Sequence, residues 1–483
     1  MRNESLVDGI SFSTFLAASI MAAVGIYQAT KKRKPNEDGD AYCYTNINHP
    51  EKCLMDKLLS SIFPLIFPLS KMSKQPSYDD DNEIVKTITQ KFSKQGQKGF
   101  ETKLEEYSKF VRNTISSDYL VSGDVYVPRD PDILGKFGIP NAEEILRMST
   151  KPQDSGAEIV IQLICPASAI KDVSVIEEPK DVKGKGPKKL KACKLEDIRF
   201  SENAHVVLWF HGGGFVLGSA KDEFAIGRVL DLMKCQGRQN KDKSFAPPII
   251  LLSVEYRLAP QNPFPSAIID GLSASSFLAE RFSTNPIHVA GISAGGNLSA
   301  IVGLESHRKY PGKFKSIVAD IPMFEPTSAT ESHRLNSQSS GICPVDFLRW
   351  CWSAYFQLEQ VNDKKVTIDF SSEVSFIDAF DSSIWSKFMN SQASRLVSPT
   401  ADLPDLSNDD DSPTILVMTA TADPLHDAGV DFFKCVEVKS KKCVHIESKG
   451  SHVLNNTFDK SAVKKLIEEW SLVFSATATT RDS

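Results

Sequence analysis

The pattern of this chain predicts an α/β fold, with a mostly parallel central sheet and helices on both faces. Three observations carry that expectation. Continuous apolar runs of the kind buried on both faces recur, as in His205-Val206-Val207-Leu208-Trp209-Phe210 and Ile249-Ile250-Leu251-Leu252-Ser253-Val254. Segments at helical spacing separate these runs, so successive strands need crossovers and pair in parallel. Glycine-rich turns, Gly212-Gly213-Gly214 and Gly291-Ile292-Ser293-Ala294-Gly295, follow two of the runs directly.

Taken in order, the first strand of the alternating body is Glu158 to Ile164, closed by Cys165-Pro166. A lysine-rich insertion, 171–194, comes next and reads as an exposed flexible segment, with contact to an acidic membrane surface as the alternative. After the strand 205–210 come a helix from Asp222 to Lys234, the strand Pro248–Val254 and a helix from Ser266 to Arg281. The breaker Pro286 then precedes Ile287-His288-Val289-Ala290, a strand running into Ser293. Beyond the helix after Ser293, Ser316–Ile321 is the next strand. The alternation lapses over about 325–411, which carries Trp350, Trp352, Tyr355, Phe356, Phe376, Phe380, Trp385 and Phe388. An aromatic excursion of this length reads as a lid over a pocket, or otherwise as an added helical layer. The strand Thr414–Thr419 resumes the pattern, and a helix from Ala462 to Trp470 closes it.

The N-terminal part is organised differently. Ile10 to Tyr27 holds eighteen residues without a charge, followed by Lys31-Lys32-Arg33-Lys34. That length is at the lower limit for a spanning helix. A secretory signal carries its positive charge before the apolar run, so residues 1–35 read as an uncleaved membrane anchor with a basic flank; a buried core helix is the alternative. The positive-inside rule would put the rest of the chain on the cytoplasmic side. Residues 36–82 read as a linker containing a short apolar patch, Ile62 to Leu69, and 83–157 as a helical cap segment.

Composition narrows the classes. The chain has 483 residues, 41% of them hydrophobic, with a formal net charge of −5. These values exclude a wholly disordered chain and a polytopic membrane protein, and the mild charge gives no electrostatic signal for nucleic acid. Nine scattered cysteines form no C-x-x-C pair, which argues against a zinc site or a disulfide framework.

The chemistry resides in the glycine turns. Gly291 to Gly295 fits G-x-S-x-G, which sets a serine on a sharp strand-to-helix bend; alone, it is equally a tight turn with a capping serine. His211-Gly212-Gly213-Gly214-Phe215 can aim backbone N–H groups at a site where negative charge develops.

With HGGGF at 211–215, VEYRLAP at 254–260, PFP at 263–265, GISAGGN at 291–297 and ADPLHD at 422–427, the sequence resembles the hormone-sensitive-lipase family of α/β-hydrolases. The resemblance covers roughly 158–475, and it implies an α/β-hydrolase fold with a catalytic domain over 158–483. It implies Ser293 as nucleophile, Asp423 as orienting acid and His452 as base, with Gly213, Gly214 and Ala294 forming an oxyanion hole and no cofactor. Asp427 is the rival acid; His426 and His445 are the rival bases. His211 is expected to prop the glycine loop. The family usually carries Asp or Glu before the nucleophile, whereas this chain has Ile292.

The function expected is hydrolysis of a lipophilic carboxylic ester through an acyl-serine. Steryl acetates and acylglycerols are candidate substrates, the former from a likeness to fungal steryl acetyl hydrolases and arylacetamide deacetylases. The alternatives are a non-catalytic binder, as in the gibberellin receptor of plants, and an amide or formamide hydrolase. Those anchored relatives imply the endoplasmic reticulum with a lumenal catalytic domain, against the charge-based orientation. The mitochondrial outer membrane is the other candidate location, and the orientation and oligomeric state stay open.

Overall fold

The computed structural model of the protein describes residues 120–148, 158–177, 188–191, 193–221, 223–239, 247–336, 343–361, 364–408, 410–452 and 460–479. An eleven-stranded sheet forms its centre. The expected anchor, the linker and the helices expected before residue 120 lie outside the described residues. Among those described, no helix is long and apolar enough to cross a membrane.

The chain enters the sheet at β1 (Leu120–Pro128), followed by two short helices, α1 (Ile133–Lys136) and α2 (Ala142–Met148). Within the segment expected as a helical cap, 83–157, α1 and α2 are helical, whereas residues 120–128 form the strand β1 instead. Its valines at 121, 125 and 127 are buried, and it pairs antiparallel with β2 (Glu158–Pro166) over its whole length, Val125 opposite Ile161. β-branched residues on a pleated, half-buried surface favour this state. The insertion 171–194 is also corrected in part. Its described residues hold β3 (Ile176–Glu177), β4 (Lys188–Leu190) and β5 (Cys193–Lys194), and the last two pair with β1 at the sheet edge.

The parallel body follows the predicted alternation. β6 (His205–Phe210) leads through α3 (Glu223–Gln239) to β7 (Ile249–Val254), and α4 (Ser266–Arg281) leads to β8 (Ile287–Ile292). These three strands are buried throughout. α5 (Ala294–Lys309) then connects to β9 (Phe314–Asp320). After the lid excursion come β12 (Thr414–Ala420), α10 (His426–Lys439), β13 (Cys443–Ser448) and α11 (Lys460–Thr479). The strand order β13-β12-β9-β8-β6-β7-β2-β1 places β6 between its two successors in the chain. The connections after the neighbouring strands β6 and β8 therefore run in opposite directions, to β7 and to β9, and ligands bind at the carboxyl ends of strands at such a switch point. Both glycine turns follow the strands that meet there.

The excursion expected to be a lid contains α6 (Glu331–Leu335), α7 (Val345–Phe356), a small hairpin of β10 (Gln360–Val361) and β11 (Lys364–Lys365), α8 (Glu373–Asp381) and α9 (Ile384–Met389). Its aromatic residues explain the PFP motif. Phe264 meets Tyr355, Phe356, Trp385 and Phe388 with ring centroids 5.3–5.7 Å apart. The pairs with Tyr355, Trp385 and Phe388 are edge-to-face, an arrangement that adds about 0.5–1.5 kcal/mol each beyond burial.

Arg257 of the VEYRLAP motif has a structural task. Asp270 of α4, fully buried, accepts from Arg129 Nε at 2.7 Å and from the Arg257 backbone N–H at 2.9 Å, and ion-pairs with the Arg257 guanidinium at 2.9 Å. It thereby joins the end of β1 and the loop after β7 to α4. Asp270→Asn leaves two guanidinium groups short of a charge partner, and its expected cost is about 3–5 kcal/mol. The midpoint of chemical denaturation measures it; a loss below about 1 kcal/mol would show that solvent reaches this cluster.

Candidate active site

The serine turn is built by close backbone approach. A Cβ on Gly291 would lie 2.1 Å from the Gly295 carbonyl oxygen, and one on Gly295 would lie 2.1 Å from that of Phe210. Only glycine fits either position. Between them Ser293 has φ 58° and ψ −118°, a region that costs a non-glycine residue about 1–3 kcal/mol. The surroundings hold it there. The Ser293 N–H donates to the Asp320 carbonyl at 2.8 Å, and its carbonyl accepts from Met323 N–H at 3.1 Å.

Ser293, His452 and Asp423 come together although they lie far apart in the chain. The Asp423 carboxylate accepts from His452 Nδ1–H at 2.6 Å, which leaves Nε2 as an acceptor 2.9 Å from Ser293 Oγ. All three side chains are buried. Asp423 follows β12, and its second carboxylate oxygen accepts from Leu425 N–H at 2.9 Å, which fixes its orientation. His452 follows β13 after Gly450, whose φ of 113° turns the chain.

The competing residues are engaged elsewhere. Asp427 lies in the first turn of α10, where it accepts from Ser332 N–H at 2.7 Å and from His426 Nδ1 at 3.0 Å. His445 sits within β13 and contacts Thr419 Oγ1 at 2.9 Å.

The glycine loop lies beside the serine, since a Cβ on Gly212 would come within 3.4 Å of Ser293 Cβ. Gly213 and Gly214 have φ of 117° and 62°. Among the described residues, no backbone hydrogen bond uses the N–H of Gly213, Gly214 or Ala294. Ala294 opens α5, where the helix dipole adds positive character. His211 props this loop: its Nδ1–H donates to the Gly212 carbonyl at 2.7 Å, and its ring stacks on Tyr256 at 4.1 Å. Burial lowers the His211 pKa to about 4, so it stays neutral at physiological pH. Tyr256 Oη donates to the His211 carbonyl at 2.8 Å. The lid covers the loop from the other side, with Tyr355 stacked on Phe215 at 4.2 Å.

Two contributions were missed from sequence. Asn297, within GISAGGN, donates to the carbonyls of Met323 (2.8 Å) and Val397 (2.7 Å), tying the serine helix to the lid. Its place in the motif was the available signal. His333 of α6 is buried and lies in the field of Asp423, and burial lowers its pKa to about 4; a lone histidine in an irregular stretch gave no signal.

Comparison with known proteins agrees with this architecture. A family model described as an α/β-hydrolase fold matches residues 207–453, just over half of the chain. Versiconal hemiacetal acetate esterase of Aspergillus parasiticus is 36% identical over 26% of this chain and 37% of its own length. Esterase LipI of Mycobacterium tuberculosis is 40% identical over 20% and 28%, and arylacetamide deacetylase-like 2 of Homo sapiens is 34% identical over 27% and 32%. The matches thus span about a third of the length of these relatives. The family model's span takes in the glycine loop, the serine turn and the acid and base loops, and the chain belongs to the α/β-hydrolase family of the hormone-sensitive-lipase type.

Proposed function

We propose that this protein is a serine hydrolase of carboxylic esters. The observation that carries the reading is the hydrogen-bonded series Asp423–His452–Ser293 on a strained turn beside a glycine loop. A serine hydroxyl becomes a competent nucleophile when a neutral imidazole can take its proton. In this reading Ser293 Oγ attacks the ester carbonyl as its proton passes to His452 Nε2, and Asp423 stabilises the imidazolium. The N–H groups of Gly213, Gly214 and Ala294 hold the oxyanion. Collapse of the intermediate expels the alcohol, which takes the proton from His452. Water, deprotonated by the same imidazole, then hydrolyses the acyl-serine.

The finer reading is a lipophilic ester, a steryl acetate or an acylglycerol, held under the aromatic lid. It is supported by Trp352 and Tyr355, which pack on Phe215 directly after the glycine loop, and by relatives named as acetate esterase and arylacetamide deacetylase-like protein. An anchor at residues 1–35, in the endoplasmic reticulum or the mitochondrial outer membrane, would hold such an enzyme beside substrates dissolved in lipid.

The test uses purified protein with p-nitrophenyl esters of two to twelve acyl carbons, the matching anilides, and a fluorophosphonate probe. Ester turnover with labelling at Ser293 is expected, with the anilides much slower. Neither turnover nor labelling would favour a ligand-binding role; anilide turnover matching the esters would make it an amidase.

A further inference from the structure

The serine turn carries Ile292 where the family resemblance leads one to expect Asp or Glu, and a buried carboxylate stands one strand away. Ile292 is paired in the parallel ladder with Asp320, the last residue of β9. Paired residues of neighbouring parallel strands project to the same face of the sheet. Asp320 is buried, and one carboxylate oxygen accepts from Arg228 of α3, with Nε and Nη2 both at 3.1 Å. The other oxygen has no hydrogen-bond partner among the described residues. Through its backbone, Asp320 also holds the turn itself, its carbonyl accepting the Ser293 N–H at 2.8 Å.

The charged groups around this carboxylate come from several elements. Arg228 approaches from α3, and His452, on the loop after β13, interacts with Asp320 electrostatically. Asp423, after β12, is the other acid on that imidazole, with His333 of α6 and Cys343 before α7 in its own field. Burial raises the pKa of Asp320 from the usual carboxylate range, and the Arg228 guanidinium opposes that rise.

Resting on the esterase reading above, we propose that Asp320, held by Arg228, is a positioning residue that replaces the carboxylate missing at Ile292. Its carbonyl fixes the nucleophile turn, and its charge stabilises the imidazolium form of His452 as the serine proton is transferred. Asp423 orients the imidazole by direct contact; Asp320 acts through the field alone. A charge at position 292 and a charge at 320 would occupy neighbouring sites of one ladder, where like charges oppose each other.

The test compares wild type with Asp320→Asn and with the paired exchange Asp320→Leu/Arg228→Met. Replacing a buried ion pair by apolar residues of similar size is often neutral or stabilising, so the paired variant keeps the measurement open if the single one folds poorly. The readouts are thermal melting and the pH profile of kcat/KM for a p-nitrophenyl ester. With the second negative charge gone, protonation of the imidazole is disfavoured, and the acidic limb moves to lower pH. On the plateau, kcat falls roughly tenfold while KM changes little, because the lost interaction acts when charge develops. Adding Ile292→Asp to Asp320→Leu/Arg228→Met returns the acidic limb toward wild type. The same substitution in wild type places two carboxylates in adjacent ladder positions and lowers the melting temperature. An unmoved acidic limb in folded charge-free variants overturns the proposal. Failure of the esterase reading looks different, since wild type itself would then neither hydrolyse the ester nor take the fluorophosphonate label.

Discussion

Ser293→Ala is expected to reduce ester hydrolysis on the order of 10⁵-fold or more, with thermal stability almost unchanged. The magnitude reflects what the substitution removes. Without Oγ there is no acyl-serine route, and the remaining acceleration comes from binding and from oxyanion contacts. Stability is preserved because alanine keeps the backbone bonds that fix the turn, from Ser293 N–H to Asp320 and from Met323 N–H to Ser293. The hydroxyl contributes one further bond, to His452 at 2.9 Å, and a neutral hydrogen bond is worth about 1 kcal/mol net. Initial rates with a p-nitrophenyl ester, fluorophosphonate labelling and a melting curve measure the three quantities. A variant that hydrolyses at the wild-type rate would remove Ser293 from the mechanism. A variant that fails to fold would instead show the hydroxyl to be structural.

The parts of the site that could be read in the sequence are those whose chemistry is local. Gly291 and Gly295 flank Ser293 because a Cβ on either meets backbone at 2.1 Å, and so tight a requirement leaves a short pattern. The buried strands β6, β7 and β8 were equally legible, since burial on both faces imposes a continuous apolar run. Edge pairing was not. β4 and β5 lie in a lysine-rich stretch with no strand signature, and they pair with β1 more than sixty residues away. Asp320 was illegible for a related reason: inside the expected strand Ser316–Ile321 nothing marks its partner Arg228, which is separated from it by 92 residues. VEYRLAP was recognisable as a motif while its physical content stayed hidden. Only the fold places Tyr256 Oη on the His211 carbonyl and Glu255 on the Ala220 N–H, at 2.8 Å each. His452 was the preferred base because the family resemblance places a histidine in the loop after the last strand, and the hydrogen bonds at 2.6 and 2.9 Å are its geometric support.

Asp423→Asn is expected to lower kcat by about 10⁴-fold near neutral pH, whereas Asp427→Asn is expected to change it by less than about tenfold. Both acids lie in the same pentapeptide, so their contrast isolates geometry from composition. The Asp423 carboxylate can only accept a hydrogen bond, which obliges His452 to carry its proton on Nδ1 and to leave Nε2 free for the serine. An amide at that place can also donate to Nδ1, and the imidazole then holds its proton on Nε2, where it cannot accept from Ser293. The imidazolium formed during proton transfer also loses its contacting negative charge. Asp427 makes its bonds to Ser332 and His426 instead. Its replacement loosens the junction between α6 and α10, which costs stability more than rate. Pre-steady-state acylation with a p-nitrophenyl ester separates the two cases, because the tautomer effect falls on the acylation step itself. The double variant Ser293→Ala/Asp423→Asn should be no slower than Ser293→Ala alone, since an orienting acid has nothing to assist once the nucleophile is gone. Additive losses in that double variant would mean that Asp423 acts outside the serine–histidine pair, and equal losses in the two single variants would reopen the choice of acid.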